Sequence, residues 1–275
     1  NPEGAIDHWH RFRSSDQDGS IMLFALCSHQ FSGSLREQRN KVYLAMTHHM
    51  TSRRAIVTGG AGLIGRAICQ RLLDDGLEVA SFDLEEGHVG RQIHCNIADE
   101  GSVADGVAAL GWDRLDLLVN NGGRTGPLDL DLSTATLADW SGFIDTHLTG
   151  AFLMSRAVLP LLHEGGSIVM MASTRAFMSE GGDFAYAAAK GGMIGLMQAL
   201  AVHLGPKVRV NAIAPGWITD AQDLTAEDHS QHPVGRVGRP QDIVDAVCYL
   251  AAAGFVTGQV LTVDGGMTRK MIYAD

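Results

Sequence analysis

The chain has 275 residues, 45% of them hydrophobic, and a formal net charge of −10. That length is enough for one large domain or two small ones around a sizeable core. The negative balance, with no basic stripe anywhere, excludes a nucleic-acid surface as the main function.

Cys27, Cys69, Cys95 and Cys248 show no CxxC or Cys–His clustering. Neither a disulfide framework nor a metal site is expected, and a reducing, cytoplasmic setting fits. No apolar run approaches the ~18 residues that span a membrane, so no membrane partner is expected.

Residues 1–49 read differently from the rest, with many histidines, serines and charges around one apolar run, "IMLFALC" (21–27). They are read as an N-terminal extension outside the catalytic fold. A secretory signal fits poorly, because a compact basic region and an A-x-A-like site are missing. A helix packed on the domain is a further reading of this segment. Residues 50–275 are read as one α/β domain.

In chain order, "RAIVT" (54–58) is a β-branched run followed by a glycine cluster and by "LIGRAICQRLLDDG", which has helical spacing. "LEVASFDL" (77–84) and the weaker "RQIHC" (91–95) are the next strands. "RLDLLVN" (114–120) is a continuous apolar run, as in a strand buried on both faces. A long helix is expected over roughly 134–162, a strand at 166–173 and a helix over 184–204. A strand at 207–216, a helix near 240–252 and a strand at 258–266 follow. Strands alternating with helices predict a doubly wound parallel sheet of Rossmann type, in a single domain with helices on both faces. Ligands of such sheets bind beyond the C-terminal strand ends, where Gly59, Asp83, Asn120, Ser173 and Pro215 fall.

"TGGAGLIG" (58–65) places Gly59, Gly62 and Gly65 between a strand and a helix. Bare glycines let backbone N–H groups approach a pyrophosphate, and the helix N-terminus adds partial positive charge. Asp83 closes the second strand. Its carboxylate suits both ribose hydroxyls of an adenosine and repels a 2′-phosphate, as do Glu85 and Glu86. NAD is therefore the expected cofactor. The alternative for Asp83 is a cap on the following turn.

Tyr186 and Lys190 stand four apart in "YAAAK", on one helix face. Interconverting an alcohol and a carbonyl requires a group that exchanges a proton with the substrate oxygen. A free phenol titrates near 10, too high for a base at neutral pH, and a nearby ammonium stabilises its anion. The three alanines between them leave room for a cofactor.

Together with "NNGG" (120–123), Ser173, "NAIAPG" (211–216) and "VTGQVLTVDGG" (256–266), these motifs make residues 53–268 resemble the short-chain dehydrogenase/reductase family. The resemblance implies Tyr186 as acid/base, Lys190 binding the nicotinamide ribose and lowering the tyrosine pKa, and Ser173 bonding the substrate oxygen. It implies cofactor contacts at Gly59, Gly62, Leu63, Ile64, Gly65, Asp83, Asn96, Ile97, Asn120, Gly122, Tyr186, Lys190, Pro215, Gly216 and Ile218. Asn96 stands where the family has an Asp beside the adenine, and Asn120 is expected to fix the central sheet next to the adenosine.

The chain also departs from the family. Its glycine spacing is commoner in the extended branch, whose larger C-terminal domain has no room here. The carboxamide-binding Thr is replaced by Asp220, with Thr219 one place early. His147, in "DTHLTG", occupies the position of the catalytic Asn. An imidazole there can hold a water and transfer a proton near its ordinary pKa of about 6.5, or it can simply satisfy a buried carbonyl.

The lid between Gly216 and Arg236 is short, so a small substrate is expected: a sugar, polyol or hydroxy acid. Arg124, Arg175, Phe177, Trp217 and His229 are candidates for the mouth; Arg175 is expected to pair with Glu180, the alternative being an anionic substrate. A 3-oxoacyl-carrier-protein-type reductase and a catalytically silent NAD-binding regulatory protein are the alternatives. Small residues along 185–201 allow close helix approach. Resembling proteins pair through this helix and the preceding long one, so a homodimer or homotetramer is expected.

Overall fold

The computed structural model describes residues 53–271 apart from 88, 125 and 127. The extension expected over residues 1–49 lies outside the described residues.

The elements in chain order are β1 (Arg54–Thr58), α1 (Leu63–Asp74), β2 (Glu78–Asp83), β3 (Arg91–His94), α2 (Glu100–Leu110), β4 (Leu115–Asn120) and α3 (Leu137–Phe143). A π-helical turn, Ile144–Thr149, joins α3 to α4 (Gly150–Val158). Then come β5 (Leu162–Met171), a 3₁₀ turn at Thr174–Ala176, α5 (Phe184–Leu204), β6 (Val208–Pro215), α6 (Ala226–Ser230), α7 (Pro240–Ala252), β7 (Val260–Val263) and a 3₁₀ turn at Met267–Arg269.

All strand pairs are parallel, and the sheet order is β3-β2-β1-β4-β5-β6-β7. This is the expected doubly wound sheet. β1 shows why its sequence is uniformly apolar: Ala55, Ile56 and Val57 are wholly buried and alternate between the two faces. Ile56 meets Phe82, Met154, Val158 and Met193 under α2, α4 and α5. Ala55 and Val57 meet Ile68, Leu72, Ile243 and Val247 under α1 and α7. Each such fully buried side chain contributes about 1.5–3 kcal/mol. Because β2 and β4 flank β1, the connections diverge there, and a crevice opens at the C-terminal ends of β1 and β4.

Three segments differ from the expected pattern. α2 was invisible to periodicity because its buried face is only Val103, Gly106 and Leu110. Its ends are nonetheless written in the chain: Asp99 accepts a bond from Ser102 N at 2.7 Å, and Gly111 closes the helix at φ +63°. The helix expected over 134–162 is broken by the π turn and stops at Val158, just before Pro160, which cannot continue it. β5 consequently begins early, and its pairing with β4 jumps from Leu115↔Leu162 to Leu117↔Ser167. Among the described residues no helix is long and apolar enough to cross a membrane.

Candidate active site

The glycine loop is closely packed against the tips of β1, β2 and β4. Gly59 adopts φ +67° and its N–H bonds Phe82 O at 2.8 Å. A methyl on Gly60 would lie 1.7 Å from Ser81 Oγ, and one on Gly65 would lie 2.0 Å from Gly59 O. Gly62 caps α1 without any side-chain bond, so the first amides of the helix, at Leu63 and Ile64, have no side chain covering them. A bare loop leading into an uncapped helix N-terminus suits a dinucleotide pyrophosphate.

Asp83 bonds the loop directly. One carboxylate oxygen accepts from Ala61 N at 2.9 Å, and the other accepts from Leu84 N at 2.7 Å and Glu85 N at 3.1 Å. The turn-capping role and the position for a ribose therefore coexist in one side chain. Arg66 donates to Ala61 O at 3.1 Å, on the residue whose N–H Asp83 holds.

Asn120 braces the central sheet, as expected. Its side chain is buried and turned toward α4, donating to Ser155 Oγ at 3.1 Å and to Ala151 O at 3.5 Å. It ties β4 to α4. The bracing of the loop falls to its neighbour, which sequence reading missed. Asn121 Nδ2 donates to Thr58 O and Gly59 O, and Thr58 Oγ1 accepts from Asn121 N and Gly122 N. The doubled Asn in "NNGG" was the available signal.

Gly122 leaves room for Ile97, whose Cδ1 would be 2.8 Å from an added methyl. Asn96 is exposed and accepts from Ala98 N at 3.1 Å, shaping the turn into α2. Pro215 ends β6. Gly216 N bonds Val263 O at 3.0 Å, and its bare Cα fits against Asp264. Ile218 pairs with Gly238 across the base of the lid. Thr219 Oγ1 accepts from Ala221 N, and Asp220 is exposed.

Ser173, Tyr186, Lys190 and His147 gather beside this crevice. Ser173 follows β5 and is buried, with Oγ accepting from Arg175 N at 3.1 Å. Tyr186 and Lys190 lie one turn apart on α5. Burial pushes the Tyr186 phenol above its ordinary 10, while a hydrogen bond with Ser173 and the charge of Arg175 pull it down and Asp183 pushes it up. Lys190 is buried, its ammonium 5.4 Å from the Tyr186 ring centre and donating to Met171 O at 2.7 Å. Burial lowers its pKa to about 7.

His147 sits in the π turn, 4% exposed, with its ring edge-on to Tyr186 at 5.3 Å and nearly parallel to Phe143 at 6.3 Å. Nε2 bonds the Arg124 carbonyl at 3.0 Å. A carbonyl only accepts, so Nε2 carries the hydrogen and Nδ1 is a lone pair, which is buried without a partner. Desolvation, then the charge of Lys190, lowers the imidazole pKa to about 3. Its bond to a buried carbonyl matches the simpler reading, and Nδ1, with its lone pair, is the atom that can hold a water.

At the mouth, Arg175 is held by Glu180 at 2.8 Å, as expected, and also by buried Asp183 at 2.9 Å. Phe177 and Trp217 are exposed, and His229 is turned to Val237 N.

A model of the family described as enoyl-(acyl carrier protein) reductase matches residues 59–268. An uncharacterized oxidoreductase of Thermotoga maritima is 38% identical over 252 aligned residues, covering 80% of this chain and 98% of the relative. The 3-oxoacyl-[acyl-carrier-protein] reductase of Escherichia coli is 34% identical, covering 78% of this chain and 96% of the relative. Among solved structures, an apo SCOR enzyme from Clostridium thermocellum superposes with a TM-score of 0.76 at 37% identity, covering 81% of this chain and 96% of that one. Thermoplasma acidophilum aldohexose dehydrogenase superposes with a TM-score of 0.76 at 26% identity, covering 82% and 97%. The family model runs from the glycine loop through the last strand, and the chain belongs to the short-chain dehydrogenase/reductase family, oxidoreductases that bind a nicotinamide cofactor.

Proposed function

We propose that the protein is an NAD-dependent oxidoreductase that interconverts a small alcohol and its carbonyl. The observation that carries this reading is the placement of Tyr186 near buried Ser173 and one turn from Lys190, whose ammonium lies 5.4 Å from the phenol ring centre. When bound, the nicotinamide supplies or takes up the hydride.

The chain's own residues do the rest. Ser173 orients the substrate oxygen. Tyr186 exchanges a proton at that oxygen, with Ser173 and Arg175 favouring its ionised form. Lys190, one turn from the phenol and held by Met171 O, supplies the positive charge that stabilises the phenolate, while His147 fixes the Arg124 carbonyl. Asp83, backed by Glu85 and Glu86, disfavours a 2′-phosphate and supports NAD, while Arg66 near the same loop is the group that would oppose this preference.

The described thiols Cys69, Cys95 and Cys248 are buried and unpaired, which suits a reducing compartment. Methyls on Gly191 and Gly195 would meet only open space on α5, which supports assembly as a homodimer or homotetramer through that face.

A second reading, reduction of a 3-oxoacyl group on a carrier protein, is favoured by relatives of that name at 34–35% identity. The deciding experiment follows nicotinamide absorbance with a panel of sugars, polyols and hydroxy acids plus NAD⁺ or NADP⁺, and with an acetoacetyl thioester plus NADH or NADPH. Turnover of free alcohols with NAD⁺ supports the first reading. Thioester reduction without alcohol oxidation supports the second.

A further inference from the structure

Two arginines flank the catalytic tyrosine, and the fold treats them oppositely. Arg175 is neutralised by Glu180 and Asp183. Arg124 has no carboxylate within ion-pair distance among the described residues. Asp139 feels its charge but is tied to Thr136 in the cap of α3.

Four features nevertheless hold Arg124 in place. Its carbonyl accepts from His147 Nε2 at 3.0 Å, and its N–H donates to Thr146 Oγ1 at 3.2 Å. Its guanidinium lies 5.2 Å from the Phe143 ring centre, and that ring meets the edge of Tyr186 at 6.1 Å. Gly142 is bare where the guanidinium crosses α3, since a methyl there would lie 2.5 Å from its terminal nitrogen. Among the described residues of the loop its side chain bonds Gly126 O, from Nε at 3.3 Å, and both terminal nitrogens have no described acceptor.

An anchored, half-buried guanidinium without a counter-charge, one ring from the reacting phenol, is suited to a planar oxyanion. We propose that Arg124 is the specificity-determining residue and that the substrate is an anionic alcohol or carbonyl compound, its carboxylate or phosphate docked on Arg124 while its oxygen faces Ser173 and Tyr186. This rests on the oxidoreductase reading above and names its substrate class.

The test uses matched pairs, hydroxy acids against their methyl esters and sugar phosphates against the free sugars, so the two arms separate carboxylate from phosphate. The full-length protein should prefer the anionic member of a pair by at least tenfold in kcat/KM. Arg124→Gln should collapse that preference at least tenfold through KM, and Arg124→Lys should restore part of it. A wild type that prefers the neutral members, or a preference unchanged in Arg124→Gln, overturns the proposal. Equilibrium binding of the same anions to Tyr186→Phe protein, read by intrinsic fluorescence, keeps the test independent of turnover. Anion binding that Arg124→Gln removes in this background supports the site even if the assigned chemistry fails, and binding indifferent to Arg124 overturns it even if the chemistry holds.

Discussion

The imidazole of His147 occupies the space that a side chain on Gly123 would need: a methyl there would lie 2.0 Å from both Nδ1 and Cε1. The second glycine of "NNGG" and the histidine are therefore one packing unit. Gly123→Ala should destabilise the protein by about 1–3 kcal/mol, the usual range for overpacking. In a His147→Ala background the same change should cost far less, so the pair should show a clear coupling energy. Urea midpoints of the four proteins measure it; additive costs would mean that the loop, and not the ring, meets the methyl.

The pH dependence follows from two depressed pKa values. His147 ionises near 3 when folded against an ordinary 6.5, so between those values the unfolded chain binds the extra proton. Stability is thus lost as pH falls from 6.5 toward 3, and His147→Asn should flatten that acid limb. Lys190 ionises near 7 when folded against 10.5, so its contribution rises with pH across that window, and Lys190→Met should flatten the rise. An inflection of turnover near neutral pH should survive His147→Asn. Its disappearance in that variant would reverse the assignment.

Tyr186→Phe should keep the fold and lose turnover by about 10²–10⁴-fold, the usual contribution of a general acid–base group. Asp183 raises the phenol pKa and Arg175 lowers it. Asp183→Asn should accordingly shift the basic limb of the pH–rate profile downward, and Arg175→Gln should shift it upward. Shifts of the opposite sign would mean that the profile reports another group.

NAD(H) should bind at least tenfold more tightly than NADP(H), about 1.4 kcal/mol, because Asp83 meets the expected ribose. Asp83→Ser should narrow that gap. It also removes the bond to Ala61 N, so affinity for both cofactors should fall. Fluorescence titration of each nicotinamide cofactor decides it. Equal affinities in the wild type would transfer control of the adenosine end to Arg66, at Ala61 O.

The order of strands and helices was legible because parallel strands buried on both faces are rich in apolar and β-branched residues, and β1 and β4 read that way. The Tyr186–Lys190 pair was legible because helical spacing alone puts them on one face. α2 was not, because a helix that packs through valine, glycine and leucine leaves almost no periodic signal. Three further facts exist only in the folded chain: Asn120 turns to α4 while Asn121 holds the glycine loop, the His147 ring is committed to the Arg124 carbonyl, and buried Asp183 joins Glu180 on Arg175 while Arg124 has no carboxylate partner among the described residues. Sequence spacing records which residues neighbour each other along one element. Charge state and hydrogen-bond choice depend on what other elements bring into contact and on how much water they exclude, and that was settled only when β4, the π turn and α5 packed together.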